Sequence, residues 1–268
     1  MNNKKNNKKN EKKFSVTSVF HYFRLVYRSL LFLIALFLYI KSKIDGVDVS
    51  IRNDISNPFL FVIWGIYMLE MLLRFFPSKI ESPGCQKQFK KNYIPTGKTE
   101  IKLHDNNAVM IAAIIWIAGN ALFGALHMTH LIDDGIMLLI CMAYSVCDMI
   151  CILFFCPFQT WLLKNRCCST CRIYNWDYAM MFTPLFFVPG VYTWTLLAAS
   201  VLLMFRWEIT VWRYPERFSE NTNKYLSCAN CTEKLCKHKR QLKTFWQGLT
   251  EYTEKQGKRI LSGGKKED

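Results

Sequence analysis

Cysteine is the residue type that gives this sequence its chemistry. Cys167, Cys168 and Cys171 stand beside Lys164, Arg166 and Arg172, and Cys228, Cys231, Cys236 and His238 form a second group. A CxxC spacing puts two thiolates on one short turn, so that both can meet one metal at about 2.3 Å, the zinc–sulfur distance. Cys168 with Cys171 and Cys228 with Cys231 are two such pairs, and together they supply the four thiolates of a tetrahedral site. Cys167, Cys236 and His238 add ligands of types that suit zinc. Four thiolates also hold an iron–sulfur cluster, although the spacings match neither of the common ferredoxin runs. Two other readings stay open. Arg166 and Arg172 favour the thiolate form of the first group and would make it a redox pair, or these are scattered interfacial cysteines with no shared role. Eleven cysteines is an odd number, so a complete set of internal disulfides is impossible.

The elements that must position these groups are membrane helices. Half of the 268 residues are apolar, and they are bunched into blocks rather than spread at amphipathic spacing. The expected fold is all-α: a polytopic integral membrane helix bundle of about six membrane elements. Spans are expected near 25–44, 58–76, 108–127, 135–158, 175–188 and 191–212, the longer ones reaching the roughly 20 residues that cross the hydrocarbon core. Pro58 suits a first helical turn. Pro184, Pro189 and Gly190 break the fifth element, and at 1.5 Å per residue it is only about 24 Å long, short enough to be re-entrant instead of spanning. Residues 1–23 open on a Lys/Asn tract and read as a disordered basic tail. No cleavable leader is expected before the first apolar run.

Charge sets the expected topology. The segment from Arg74 to Asn107 has seven Lys/Arg against three acids, the loop carrying Cys167 has three basic residues and only Asp177, and the tail from Arg206 has fourteen Lys/Arg against eight acids. The links after the first and third spans show no such excess. By the positive-inside rule both termini, the Cys-rich loop and the tail 214–268 lie in the cytosol. Thiols there are kept reduced, which favours metal over structural disulfides.

Polar residues inside the spans are the other candidates, because a charge there costs about 2.5–3.5 kcal/mol on insertion scales. Asp148 shares a helix face with Tyr144 and Cys151. It reads as part of a proton or cation pathway, or as a buried carboxylate tied to Asn120, a tyrosine or backbone. Glu70 reads as structural, and Arg28 sits near the start of the first span. Cys141, Cys147 and Cys151 are expected to pack as small apolar groups, while Cys156 lies nearer the loop cluster. His127, His130, Asp133 and Asp134 would bind a divalent cation only if one helix ran through them.

The net charge of +15 falls between apolar blocks and at the termini, which points to anionic lipid headgroups at the basic ends and not to nucleic acid. Residues 237–259 pattern as an amphipathic helix for the bilayer surface or a protein partner. These features predict a multi-pass membrane protein with a cytosolic Cys-ligated site for zinc or an iron–sulfur cluster that ties the tail to the bundle, structural or sensory in role. The alternatives are electron transfer through the clusters, and ion or small-solute transport through Asp148 and the broken fifth helix. No sequence motif names a reaction.

Overall fold

The computed structural model describes residues 16–46, 58–77, 83–103, 106–163 and 170–227. Every regular element among them is helical. In chain order they are α1 (Val16–Ile44), α2 (Pro58–Leu73), α3 (Pro83–Gln88), α4 (Asn106–Met128), α5 (Asp134–Leu153), α6 (Asp177–Phe182) and α7 (Val191–Arg213). A π-turn at Phe158–Leu162 and 3-10 turns at Arg172–Trp176 and Thr183–Phe187 fill the stretch between α5 and α7. α1, α4, α5 and α7 are long and apolar enough to cross a membrane, and α2 is a shorter apolar helix.

The bundle exposes many large apolar side chains and buries several polar ones within its apolar core. Leu33 and Phe37 of α1, Ile114 and Ile117 of α4 and Leu202 of α7 are all exposed, whereas Arg28, Glu70, Asn120, Ser145 and Ser200 are buried. Water as solvent would select the reverse. Hydrocarbon exerts no penalty on exposed Leu and Ile, and it forces polar groups to find partners in the interior.

α1 packs on α5 and α2 packs on α7, with the segment around α6 wedged between α5 and α7. Small residues set the closest approaches. A Cβ on Gly135 would lie 2.6 Å from the Tyr39 ring, and one on Gly124 would clash with Phe187. Helix starts and stops follow local chemistry. Pro58 opens α2, and Asp133 caps α5 by accepting the Ile136 N–H at 2.9 Å. α4 ends as His130 enters the left-handed region at φ 59°, while the Leu131 N–H returns to Leu126 O.

Several boundaries differ from those expected. α1 begins at Val16, so residues 16–23, assigned by composition to the disordered tail, are helix. α2 stops at Leu73 and α5 at Leu153, earlier than the apolar runs end. The largest difference is the fifth element, which is a continuous 3-10, α, 3-10 strut of sixteen residues from Arg172 to Phe187. At about 2.0 Å per 3-10 residue and 1.5 Å per α residue it spans about 29 Å, well beyond the length an α-helix would give. Arg172 reaches Asn106 at the start of α4, while Phe187 meets Gly124 near its end. The strut therefore runs the length of the bundle instead of turning back. Tyr178, Met181, Phe182 and Leu185 on it are almost fully buried, which makes it part of the core.

Candidate functional site

One end of the bundle carries the acidic and basic side chains that the apolar runs conceal. Arg28 of α1 is completely buried. Its Nη2 donates to Glu70 Oε2 at 2.7 Å and its Nη1 to Asp148 Oδ2 at 3.1 Å, with Ser145 O also at 3.1 Å. The Tyr178 hydroxyl donates to the same Glu70 oxygen at 2.9 Å, Arg24 Nε lies 3.1 Å from Glu70 Oε1, and the Tyr27 hydroxyl also donates there. Beside them Arg74 Nη1 donates to Asp177 Oδ1 at 2.6 Å, and its guanidinium lies 4.5 Å from the centre of the Tyr178 ring. Three guanidinium groups thus face three carboxylates, drawn from α1, α2 and the residue after it, α5 and α6.

That pairing settles what holds Glu70 and Asp148. Both are ion-paired, and the expected tie of Asp148 to Asn120 does not form: Asn120 donates to Trp116 O, one turn back on its own helix. The missing partner was Arg28. An opposite charge inside another span is the signal that could have found it, because charges in hydrocarbon pair with one another.

A cavity of about 130 Å³ lies on the far side of the same carboxylates. Asp148 and Asp177 form the wall between the ion cluster and this space, and Cys147, Cys151, Cys156 and Cys171 line it together with Gln159. The expected face of Tyr144, Asp148 and Cys151 is present, all three opening onto the cavity. Cys141 packs in the core as anticipated, whereas Cys147 and Cys151 line the cavity. Aromatic walls come from Trp116, Tyr144, Phe158 and Tyr174.

The loops at this end are tied to one another. Asn175 Nδ2 donates to Gln88 Oε1 at 2.8 Å, and Asn223 Nδ2 donates to Lys87 O at 3.0 Å. The two neighbouring residues at the end of α3 therefore anchor both the loop after Cys171 and the tail before Cys228. Thr96 N–H to Thr222 O and Lys224 N–H to Ile94 O extend the second seam. Arg172 and Trp176 both hold Glu208 near the end of α7, at 2.6 and 2.7 Å.

Of the seven expected metal ligands, only Cys171 is described, and it is buried; Cys167, Cys168, Cys228, Cys231, Cys236 and His238 lie outside the described residues. Among the described residues no group of three His, Cys, Asp or Glu is placed to hold a metal ion. This bears on the opposite end of the bundle too. His127 Nε2 pairs with Asp134 Oδ1 at 2.7 Å, while Asp133 caps α5 and binds Lys43 Nζ at 2.7 Å and the Tyr39 hydroxyl at 3.0 Å. The helix breaks at His130, so the four residues do not converge on one cation.

No protein-family model, curated protein or solved structure matches the chain. What it does must be argued from these side chains.

Proposed function

We propose that the chain is a multi-pass membrane protein of six crossings with both termini in the cytosol, and that a cysteine-ligated metal centre there, zinc or iron–sulfur, fastens the C-terminal tail to the bundle. Its role is structural or sensory. The observation that carries this reading is the double anchor on α3. Cys171 stands four residues before Asn175, and Cys228 five after Asn223; Asn175 and Asn223 bind adjacent residues of α3. At about 3.5 Å per residue, each cysteine has at most about 14 to 18 Å of chain between it and its anchor. Two CxxC pairs tethered this way share one neighbourhood, which four thiolates need in order to enclose one ion or cluster.

Within that reading, Cys168, Cys171, Cys228 and Cys231 are the primary ligands, with Cys167, Cys236 and His238 beside them. The metal supplies a cross-link that a short tail cannot obtain from burial. Asp148 enters as a wall of the ion cluster, and its pairing with Arg28 favours the structural role over an ion pathway.

The test is elemental analysis with an absorbance spectrum on detergent-purified protein, before and after Cys228→Ser with Cys231→Ser. Stoichiometric zinc with no visible absorbance, or iron with a band that bleaches on reduction, supports the centre if the double variant loses it. A wild-type protein free of metal refutes it.

A further inference from the structure

The thiol-lined cavity shares Cys171 with the proposed metal centre, but the chemistry argued here uses other thiols; from the preceding reading it takes only the membrane setting. The Phe154 and Phe155 N–H groups both fold back onto Ile150 O, at 2.8 and 3.1 Å. Past this closure of α5, Cys156 and Cys151 line the same cavity, and their thiols are hydrogen-bonded to each other. The Gln159 N–H donates to Cys156 Sγ at 3.4 Å, so Cys156 is the sulfur whose developing negative charge is supported and Cys151 is its natural partner. Both are thiols in this structure.

The space they face is shaped for a ring. Its volume of about 130 Å³ is close to that of an apolar cavity known to take up benzene, about 150 Å³. Trp116, Tyr144, Phe158 and Tyr174 offer flat apolar walls. Cys147, on the cavity wall, is exposed, and so are Ile150, Phe155 and Trp161 of the same stretch of chain. Such an opening faces hydrocarbon, so an occupant arrives through the lipid phase.

We propose that Cys151 and Cys156 form a redox-active dithiol that reduces a lipid-soluble quinone seated in this cavity. The Cys156 thiolate adds to a ring carbon of the quinone. Cys151 Sγ then attacks Cys156 Sγ, forming the disulfide and breaking the bond from sulfur to the ring. The electron pair of that bond stays with the ring, and the two thiol protons end on its two oxygens. One quinone and two thiols become one quinol and one disulfide, a two-electron exchange with nothing left over.

The experiment uses the full chain in lipid nanodiscs, reduced and freed of reductant, then mixed with a decyl-substituted benzoquinone. Quinol is followed by absorbance and the linkage by peptide mapping after alkylation. One quinol per protein and a Cys151–Cys156 disulfide are expected. Cys151→Ser or Cys156→Ser abolishes both. Met180→Trp, which fills the cavity, slows quinone reduction by about tenfold or more while diamide still forms the disulfide, showing the fold intact. Cys228→Ser with Cys231→Ser leaves the reaction unchanged, which separates it from loss of the metal centre. Failure of diamide to join Cys151 to Cys156 in the wild type overturns the dithiol. Wild-type quinone reduction in Cys156→Ser or Met180→Trp overturns the site.

Discussion

Two sets of ion pairs differ in burial: one around Arg28, within α1, and Asp148, near the end of α5, and one around Lys43, at the end of α1, and Asp133, the cap of α5. Arg28 and Glu70 have side chains 0 and 9% exposed, whereas Lys43 and Asp133 are 45 and 39% exposed. Removing one partner of a buried pair strands a desolvated charge, while a wet pair is replaced by water at little loss. The same contrast extends to the loops. At the Arg28 end, α3, the Arg172 turn and the tail through Ser227 are woven together by side-chain and backbone hydrogen bonds. At the Lys43 end the link between α4 and α5 is only a capped turn. The bundle is therefore organised from one end, which is also where the cysteines gather.

Mutations sharpen that contrast in order of size. Arg28→Leu leaves Glu70 and Asp148 without their shared cation and should destabilise the protein by about 3–5 kcal/mol, read as a large drop in the melting midpoint in detergent. Adding Glu70→Gln should recover part of it; no loss in Arg28→Leu would remove the ion cluster from the account. Asn223→Ala deletes donations to Lys87 O and Arg217 O and should cost about 1–3 kcal/mol. The loss should be local, with faster hydrogen exchange over 214–227 and little change in α1 or α5. Uniform acceleration would mean the tail is not a separate unit.

Lys43→Ala should cost less than about 1 kcal/mol, and that effect should vanish at high salt. Its partner gives a pH test. Burial alone would raise the Asp133 pKa, but hydrogen bonds from Lys43, the Ile136 N–H and Tyr39 hold it below the usual carboxylate range. A depressed folded pKa means the contribution is complete above the unfolded value, about 4, and is lost as pH falls through the lower folded value. Asp133→Asn should flatten the acid limb of the stability profile in that window and leave neutral pH behaviour nearly unchanged. An unaltered acid limb would count against the cap and ion pair.

The long apolar helices were legible because an apolar run is a local signal: α4 and α7 fall within two residues of their expected ends. The start of α1 was not, since Val16 to Phe23 looks like part of a polar leader until His21 and Arg24 are seen to be buried against neighbours. The fifth element was legible as short and Pro-broken, but its length was not, because α-helical rise was assumed for a segment that is 3-10 at both ends, with Pro184 in the second turn. Asp148 and Glu70 were legible as buried acids, but Arg28 lies 120 residues from Asp148 in sequence, and no periodicity links them. The cavity is lined by residues from 116 to 181, a tertiary assembly that spacing alone does not reveal.

The central claim is that the Cys-bearing loop and the tail lie on one side of the membrane. Native lysines test it without mutation, by a membrane-impermeant amine reagent applied to sealed cells and read by peptide mapping. Lys41 and Lys43 should react, while Lys98, Lys102, Lys164 and Lys224 should stay protected until the membrane is opened. Labelling of Lys164 and Lys224 from opposite sides would contradict the account.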